Sequence, residues 1–592
     1  MNPEQKQYKT EWDLKLLYKD EKDPKIEQGL KLVESECDSF EKKYKDSDFT
    51  SSADELLKTL NDYEDLSKKA GEEKTSYYFY FRKDLNSEDN IAQAFSTKVS
   101  NRMTKATNKL VFIDIKLSKI PENKQKKYLK DKKLKKYWYF LEKIFKNAKH
   151  VLTEKEEQLV GLLSQTSYSM WVDGQEKLLT SQTVDYKGQK LPVQKALSMI
   201  SELPKNDRRI LHESLNKVFK SISHFAEAEI NAVYNFKKVM DERRGFEKPY
   251  SATILGYEND EKNIEKMIET VTKNFKISQR FYKLHAKLLK EKKLSVSDRA
   301  VKIGEIKKKF NFETSVSIVG DIFHKMGKEY GEIFYRILKN GQTDVFPKKG
   351  KSGGAYCASS YNMPTFILLN HNDDIRSLET LAHEMGHAVH GERSKVQSIF
   401  YQGYSTATAE VASTFFEQVV LSEIEKYLSN DEKIILLHNK IMGDISTIFR
   451  QIACFNFELE LHQRIRKEGQ LSKEEIAKLL HKHLESYMGD AFSVTDDDGY
   501  FFVNWSHIRR FFYVYSYAYG QIVSRALFEN WKKDKSYIKK IDQFLSAGGS
   551  MSPDEIFKKA GINTNDPKFF EAGLQSIEKD IEKLEKLSLK MK

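Results

Sequence analysis

Along most of this chain apolar side chains recur every three or four positions among charges, the spacing that lines one face of a helix. The pattern holds from residue 27 to about 147 and is plainest over 91–117. A second helical stretch covers 153–171 and opens on a capping signature, Thr153 followed three residues later by Glu156. Helical periodicity returns over 206–242 and 263–292. Two places break the habit. Residues 184–189 read VDYKGQ, which predicts a small hairpin turning at Lys187 and Gly188. Residues 353–358 and 365–369 read as two strands joined by a loop that holds Asn362 and Pro364, and a helix over 375–391 follows directly. Ten prolines and 27 glycines are few for 592 residues, and sparse breakers favour long helices. The expectation is a mainly α chain, with a helical N-terminal lobe over 1–190 and a second helical domain over 191–592. There is no internal repeat and no low-complexity tract beyond the charged end at 577–592.

Composition narrows the class. With 39% hydrophobic and 31% charged residues the chain is globular rather than disordered. Its net charge of +12 is spread thinly. The densest lysine run, 124–136, is interleaved with Tyr128, Leu129 and Leu134, like the wet face of a helix, so no nucleic-acid partner is expected. Cys37, Cys357 and Cys454 are scattered and form no CxxC pair, which fits a reducing compartment. Residues 1–20 are polar and lack a signal core, and no run of about 18 apolar residues could cross a membrane. A cytoplasmic location is expected, with no membrane partner.

The chemistry concentrates in LAHEMGHAV, residues 381–389. His383 and His387 stand four apart, one turn above the other on a helix face, where two imidazoles can grip one Zn2+ at about 2.0–2.1 Å each. Glu384 is near that metal without having to bind it, and could take a proton from metal-activated water and pass it to a leaving amine. It is the one charge in positions 380–389, and a lone carboxylate on an apolar stretch is costly unless paired or working. His390 shares the face but lies about 10 Å along the axis from His383, so it is expected to pack or support rather than bind. A catalytic zinc of this kind wants a third protein ligand and an open position. The metzincin pattern would need glycine at 390 and histidine at 393, where the chain has His390 and Arg393. Glu410, in the otherwise apolar run AEVASTFF, is the expected third ligand. Glu417, seven residues on along the same face, could orient a ligand histidine through its free ring nitrogen, or be a partly exposed ion-pair residue.

Several separate pieces resemble the thimet-oligopeptidase-like metallopeptidases, specifically the oligoendopeptidase F branch. TLAHEMGHAVH at 380–390 resembles the zinc helix of that family, and AEVAST at 409–414 its third-ligand helix. GAYC at 354–357, with Pro364 and ILLN at 367–370, resembles the strand pair ahead of the zinc helix. Gly489, Asp490, Trp505, His507 and YVYSYA at 513–518 resemble its C-terminal substrate-binding segment, although Ser506 and Ile508 replace the usual proline and aromatic beside the histidine. The resemblance is good over about 191–560 and weaker from about 151. It implies a nearly all-helical ellipsoid with a deep channel that admits short unstructured peptides, with one zinc per chain on its floor and a small β-sheet next to the zinc helix.

The last segment is ambiguous from below. Tyr513, Tyr515, Tyr517 and Tyr519 alternate, which by period alone suggests a strand; the resemblance implies a helix. It also implies that a tyrosine hydroxyl donates to the oxyanion, Tyr515 first, Tyr513 next, with His507 alongside. Upstream, Gly354, Ala355 and Tyr356 are expected to pair with an extended substrate as an added strand, glycine permitting close approach of the backbone. The resulting expectation is a zinc-dependent endopeptidase acting on short peptides. The alternatives are a zinc metallocarboxypeptidase and a non-catalytic basic helical binding protein.

Overall fold

The computed structural model describes residues 8–70 and 73–589. Helix accounts for 74% of it and strand for 4%, so the chain is mainly α with small sheets. Two compact units emerge, each threaded by three stretches of chain. The first holds the described residues up to Val151, with Lys308–Lys426 and Leu527–Ile562. The second holds Leu152–Lys307, Tyr427–Ala526 and the described residues from Asn563 onward. The division expected at 190 and 191 falls inside the strand Gln189–Pro192, within the second unit.

In the first unit the periodic N-terminal stretch folds into the helices Pro24–Tyr44, Ala53–Ala70, Glu73–Leu85 and Asn90–Thr107. Residues of Pro24–Tyr44, Glu73–Leu85 and Asn90–Thr107 meet a three-stranded sheet in one core, where Trp12, Phe79 and Phe81 pack with Phe366 and Leu368, while Ala53–Ala70 packs in a second core with Val33, Cys37 and Phe40. Trp12 satisfies its indole N–H by donating to the Ile367 carbonyl at 2.8 Å. Strand Met363–Leu368 is central, parallel to Thr343–Asp344 and antiparallel to Tyr356–Ser360. That leaves Tyr356–Ser360 on the edge, with an irregular register between Ala358 and Ser360.

Helix Ile375–Ser394, which carries HExxH, starts at Asp374, whose carboxylate accepts from Ser377 N at 2.7 Å. Two glycines let it pass close to its neighbours. A Cβ on Gly386 would sit 2.9 Å from Ser413 Cα, on the helix Thr406–Ile424, and one on Gly391 would sit 2.6 Å from Ser359 Oγ on the edge strand. This contact at Gly386 is what brings a second helix within reach of the histidines.

In the second unit the predicted hairpin pairs Thr183–Tyr186 with Gln189–Pro192. Its turn residues Lys187 and Gly188 both have positive φ, 50° and 78°. The capping box at Thr153 forms and opens the helix Glu154–Ser164. The pattern read over 206–242 is one helix, Lys205–Arg244. The pattern over 263–292 is two, Glu261–Lys273 and Phe275–Leu288. They break at Asn274, whose side-chain amide donates to the Thr270 carbonyl at 2.8 Å, a local bond that competes with the helix ladder. None of the described helices is long and apolar enough to cross a membrane.

Candidate metal centre

Three donors converge in the first unit. His383 and His387 project from one helix with ring centroids 4.9 Å apart, and Glu410 reaches across from the helix Thr406–Ile424. Glu410 Oε2 lies 3.5 Å from His383 Nε2, and its Oε1 lies 3.8 Å from His387 Nε2. Two bonds of about 2.1 Å at a tetrahedral centre separate their donors by roughly 3.4 Å, so the set fits one zinc-sized ion. It is the one such group among the described residues. Glu417 Oε2 meets His383 Nδ1 at 3.0 Å. That bond holds Nδ1 as the protonated nitrogen and turns Nε2, with its lone pair, toward Glu410.

Glu384 is 6% exposed, and no group among the described residues meets its Oε2. Burial pushes its pKa up to about 7, with the His383 charge opposing and Glu410 and Glu417 assisting. Burial pulls His383 down, but its bonds to Glu410 and Glu417 outweigh that and raise it to about 10. Burial and the charge on His383 lower His387 to about 4. Burial works against the Glu410 carboxylate, but the two imidazoles hold it below its usual range. Without a metal the cluster draws one proton onto His383 between two carboxylates. Its electrostatics call for positive charge at the place where the donors converge.

The cluster lies in a groove of about 1530 Å³. Its lining includes His383, Glu384, His387 and Glu410 and the edge strand with Ala355 and Tyr356. Tyr356 donates from its hydroxyl to Asp84 Oδ2 at 2.5 Å. Gly354 does not line the groove. It makes the turn into the strand at φ 77°, with its carbonyl accepting from Asn370 Nδ2 at 2.8 Å. A Cβ there would meet no atom of the protein within 4 Å, and what the glycine supplies to the fold is its positive φ. His390 is buried one turn beyond the site and stacks on Tyr404.

The sequence reading did not single out a helical part of the groove lining. There Ser96, Ser100 and Thr104 stand four apart on Asn90–Thr107, a hydroxyl stripe that helical spacing could have exposed. It also passed over Tyr404, which lines the groove from an irregular turn with no periodicity to mark it.

The remaining expected residues belong to the second unit. Tyr513 precedes a helix that begins at Tyr515, so the alternating tyrosines are mostly helical, as the resemblance implied. His507 Nδ1 and the Tyr513 hydroxyl meet at 2.6 Å. Burial, with the charges on Arg450 and Arg510, lowers His507 to about 4, so it stays neutral and accepts from the phenol. Tyr515 is fully buried and donates to Asn259 Oδ1 at 2.9 Å. Tyr519 is fully buried as well.

Comparison with known proteins gives the family. The family profile described as Peptidase family M3 matches residues 213–576, and that described as Oligopeptidase F matches 116–181. The chain is 27% identical to an oligoendopeptidase F homolog of Borreliella burgdorferi over 97% of this chain and 98% of that one. It is 26% identical to oligopeptidase PepF of Bacillus subtilis, over 91% and 82%. The crystal structure of oligoendopeptidase-F from Enterococcus faecium superposes with a TM-score of 0.69 at 18% identity, over 95% and 97% of the two chains, and shares the fold. The chain belongs to peptidase family M3 and is a metalloendopeptidase.

Proposed function

We propose that this protein hydrolyses internal bonds of short unstructured oligopeptides, using one Zn2+ held by His383, His387 and Glu410 and Glu384 as general base. The observation that carries the reading is Glu384 itself, a buried carboxyl beside three converging donors with one oxygen left free for a proton. When bound, zinc would supply Lewis acidity, polarising the substrate carbonyl and making water more acidic. Glu384 Oε2 takes the proton of the attacking water and hands it to the amine nitrogen that leaves. Glu417 keeps His383 in the tautomer with a free Nε2. Ala355, Tyr356 and the edge strand offer backbone N–H and C=O groups for an extended peptide to pair with, and Gly354 shapes the turn that leads into them.

A tyrosine is proposed to donate to the developing oxyanion. The local environments favour Tyr513, half-buried and paired with His507, over Tyr515, whose hydroxyl is closed on Asn259. The names of the relatives, oligoendopeptidase F and oligopeptidase, support internal cleavage over carboxypeptidase action. The free Cys37, Cys357 and Cys454 fit a cytoplasmic enzyme.

A peptide blocked at both ends tests the reading. The zinc-loaded protein should cut it and a chelator should stop the reaction. Glu384→Gln should keep its metal and lose about 10²–10⁴ in kcat. Cleavage confined to peptides with a free C-terminus would favour the carboxypeptidase alternative, and full activity in Glu384→Gln would sink the mechanism. Tyr513→Phe should lose about 10²–10³ in kcat with little change in KM, and more than Tyr515→Phe loses.

A further inference from the structure

Tyr404 has no place in the chemistry above, yet three features mark it. It lines the same groove as His387 and Glu410. Its ring lies flat on the His390 imidazole, with centroids 3.6 Å apart and planes within 10°. Its hydroxyl meets no donor or acceptor among the described residues. Gly391 locates that hydroxyl. A Cβ placed there would lie 3.8 Å from Tyr404 Oη and 2.6 Å from Ser359 Oγ. The phenol oxygen therefore lies over the HExxH helix one turn past His387, beside the edge strand Tyr356–Ser360.

His390 explains why the ring stays there. It is 1% exposed, both ring nitrogens lack a partner among the described residues, and Phe544 closes on it at 5.2 Å. An imidazole so placed makes no hydrogen bond to steer it, so what it contributes is a flat face. That face fixes the plane of the Tyr404 ring, which lines the groove. A half-buried tyrosine whose hydroxyl has no protein partner, beside a strand edge with open backbone groups, is arranged to be met by a ligand that carries such groups.

We propose that Tyr404 Oη donates a hydrogen bond to a main-chain carbonyl oxygen of the bound peptide, and that His390 is a positioning residue that holds the phenol by stacking. The inference rests on the peptidase reading. Tyr404 thereby binds the peptide through a group common to every sequence, so its effect is on affinity and is independent of the peptide's side chains.

The test uses the full-length, zinc-loaded protein with Glu384→Gln, so that a fluorescent peptide blocked at both ends is bound and not consumed. Adding Tyr404→Phe should raise Kd about three- to tenfold, the range of one neutral hydrogen bond, with metal content unchanged. In the Glu384 protein the same change should raise KM by a similar factor and leave kcat within about twofold. His390→Phe keeps a flat ring and should bind within about twofold of its parent, whereas His390→Ala should weaken binding as Tyr404→Phe does. Peptides of unrelated sequence should all show the effect. A Tyr404→Phe protein that binds as tightly as its parent overturns the proposal, as does a weakening seen with one peptide sequence only. Equal binding by His390→Phe and His390→Ala removes the positioning role. Hydrolysis by Glu384→Gln itself would instead overturn the peptidase reading, a separate outcome seen before Tyr404 is changed.

Discussion

The metal centre of the first unit and the pair Glu458–His462 of the second are made of the same pieces. Each sets two potential ligands four apart on a helix, and each includes histidine and glutamate. In the first, the side chains of His383, His387 and Glu410 are 26%, 17% and 41% exposed, and the groove opens onto them. In the second, Glu458 and His462 are both 0% exposed and 3.9 Å apart. His462 lies between Tyr234 and Phe512, and neither of its ring nitrogens meets a partner among the described residues. Burial drives the Glu458 pKa well up and the His462 pKa well down, so it favours the uncharged form of each. Glu458 uses its remaining capacity structurally, accepting from Phe512 N at 2.9 Å where Phe511 and Phe512 both adopt positive φ. The difference teaches that spacing makes donors converge, while access decides whether they carry charge. A carboxyl sealed from water is driven toward its protonated form, in which it is a poor ligand for a cation.

Metal affinity breaks the comparison most sharply. Glu410→Ala removes a proposed ligand and should lower zinc affinity by more than about 100-fold. Glu417→Ala removes only the partner of His383 and should cost about 10–100-fold. Glu458→Ala should leave zinc unchanged. Zinc content after dialysis against graded chelator ranks the three, and an order with Glu417 first would exchange the roles of the two carboxylates.

Helix contact gives the next effect. Gly386→Ala forces a methyl against Ser413 Cα and should destabilise the first unit by about 1–3 kcal/mol, with weaker zinc binding because the Glu410 helix moves away. Gly443→Ala, in the helix Asn430–Asp444 with nothing within 4 Å of the new carbon, should stabilise by about 0.5–1 kcal/mol. Denaturant midpoints with and without zinc separate the two. Equal effects would mean that the close crossing at Gly386 is unimportant.

The smallest effect at neutral pH is that of Glu458→Gln, which copies the shape of a carboxyl that burial pushes toward its protonated form. Its signature lies in the pH dependence. The folded pKa is raised, so above about 4.3 the native state holds a proton that the unfolded state has released. Stability from this group is therefore greatest at low pH and falls by about 1.4 kcal/mol per pH unit until the folded pKa is reached. Glu458→Gln lacks that slope and should gain on wild type as pH rises from about 4.3 toward the raised folded pKa. A difference that stays flat with pH would show that Glu458 is charged in the native state.

Much of this protein was legible in its sequence because the signals were local. The capping box at Thr153, the turn at Lys187 and Gly188, the long helix ending at Arg244 and the one-turn spacing of His383 and His387 depend on neighbours within a few residues. The break at Asn274 is equally local, but a continuous apolar period conceals it. What only the tertiary structure decided is which side chains from distant elements share a space and which of them water reaches. Tyr404 stacking on His390, the hydroxyl stripe sharing one groove with the edge strand, Tyr515 closing on Asn259 and the sealed Glu458–His462 pair are all of that kind. Periodicity fixes the face of a helix on which a residue stands. Burial, and with it charge and reactivity, is set by what packs against that face, which depends on the whole chain.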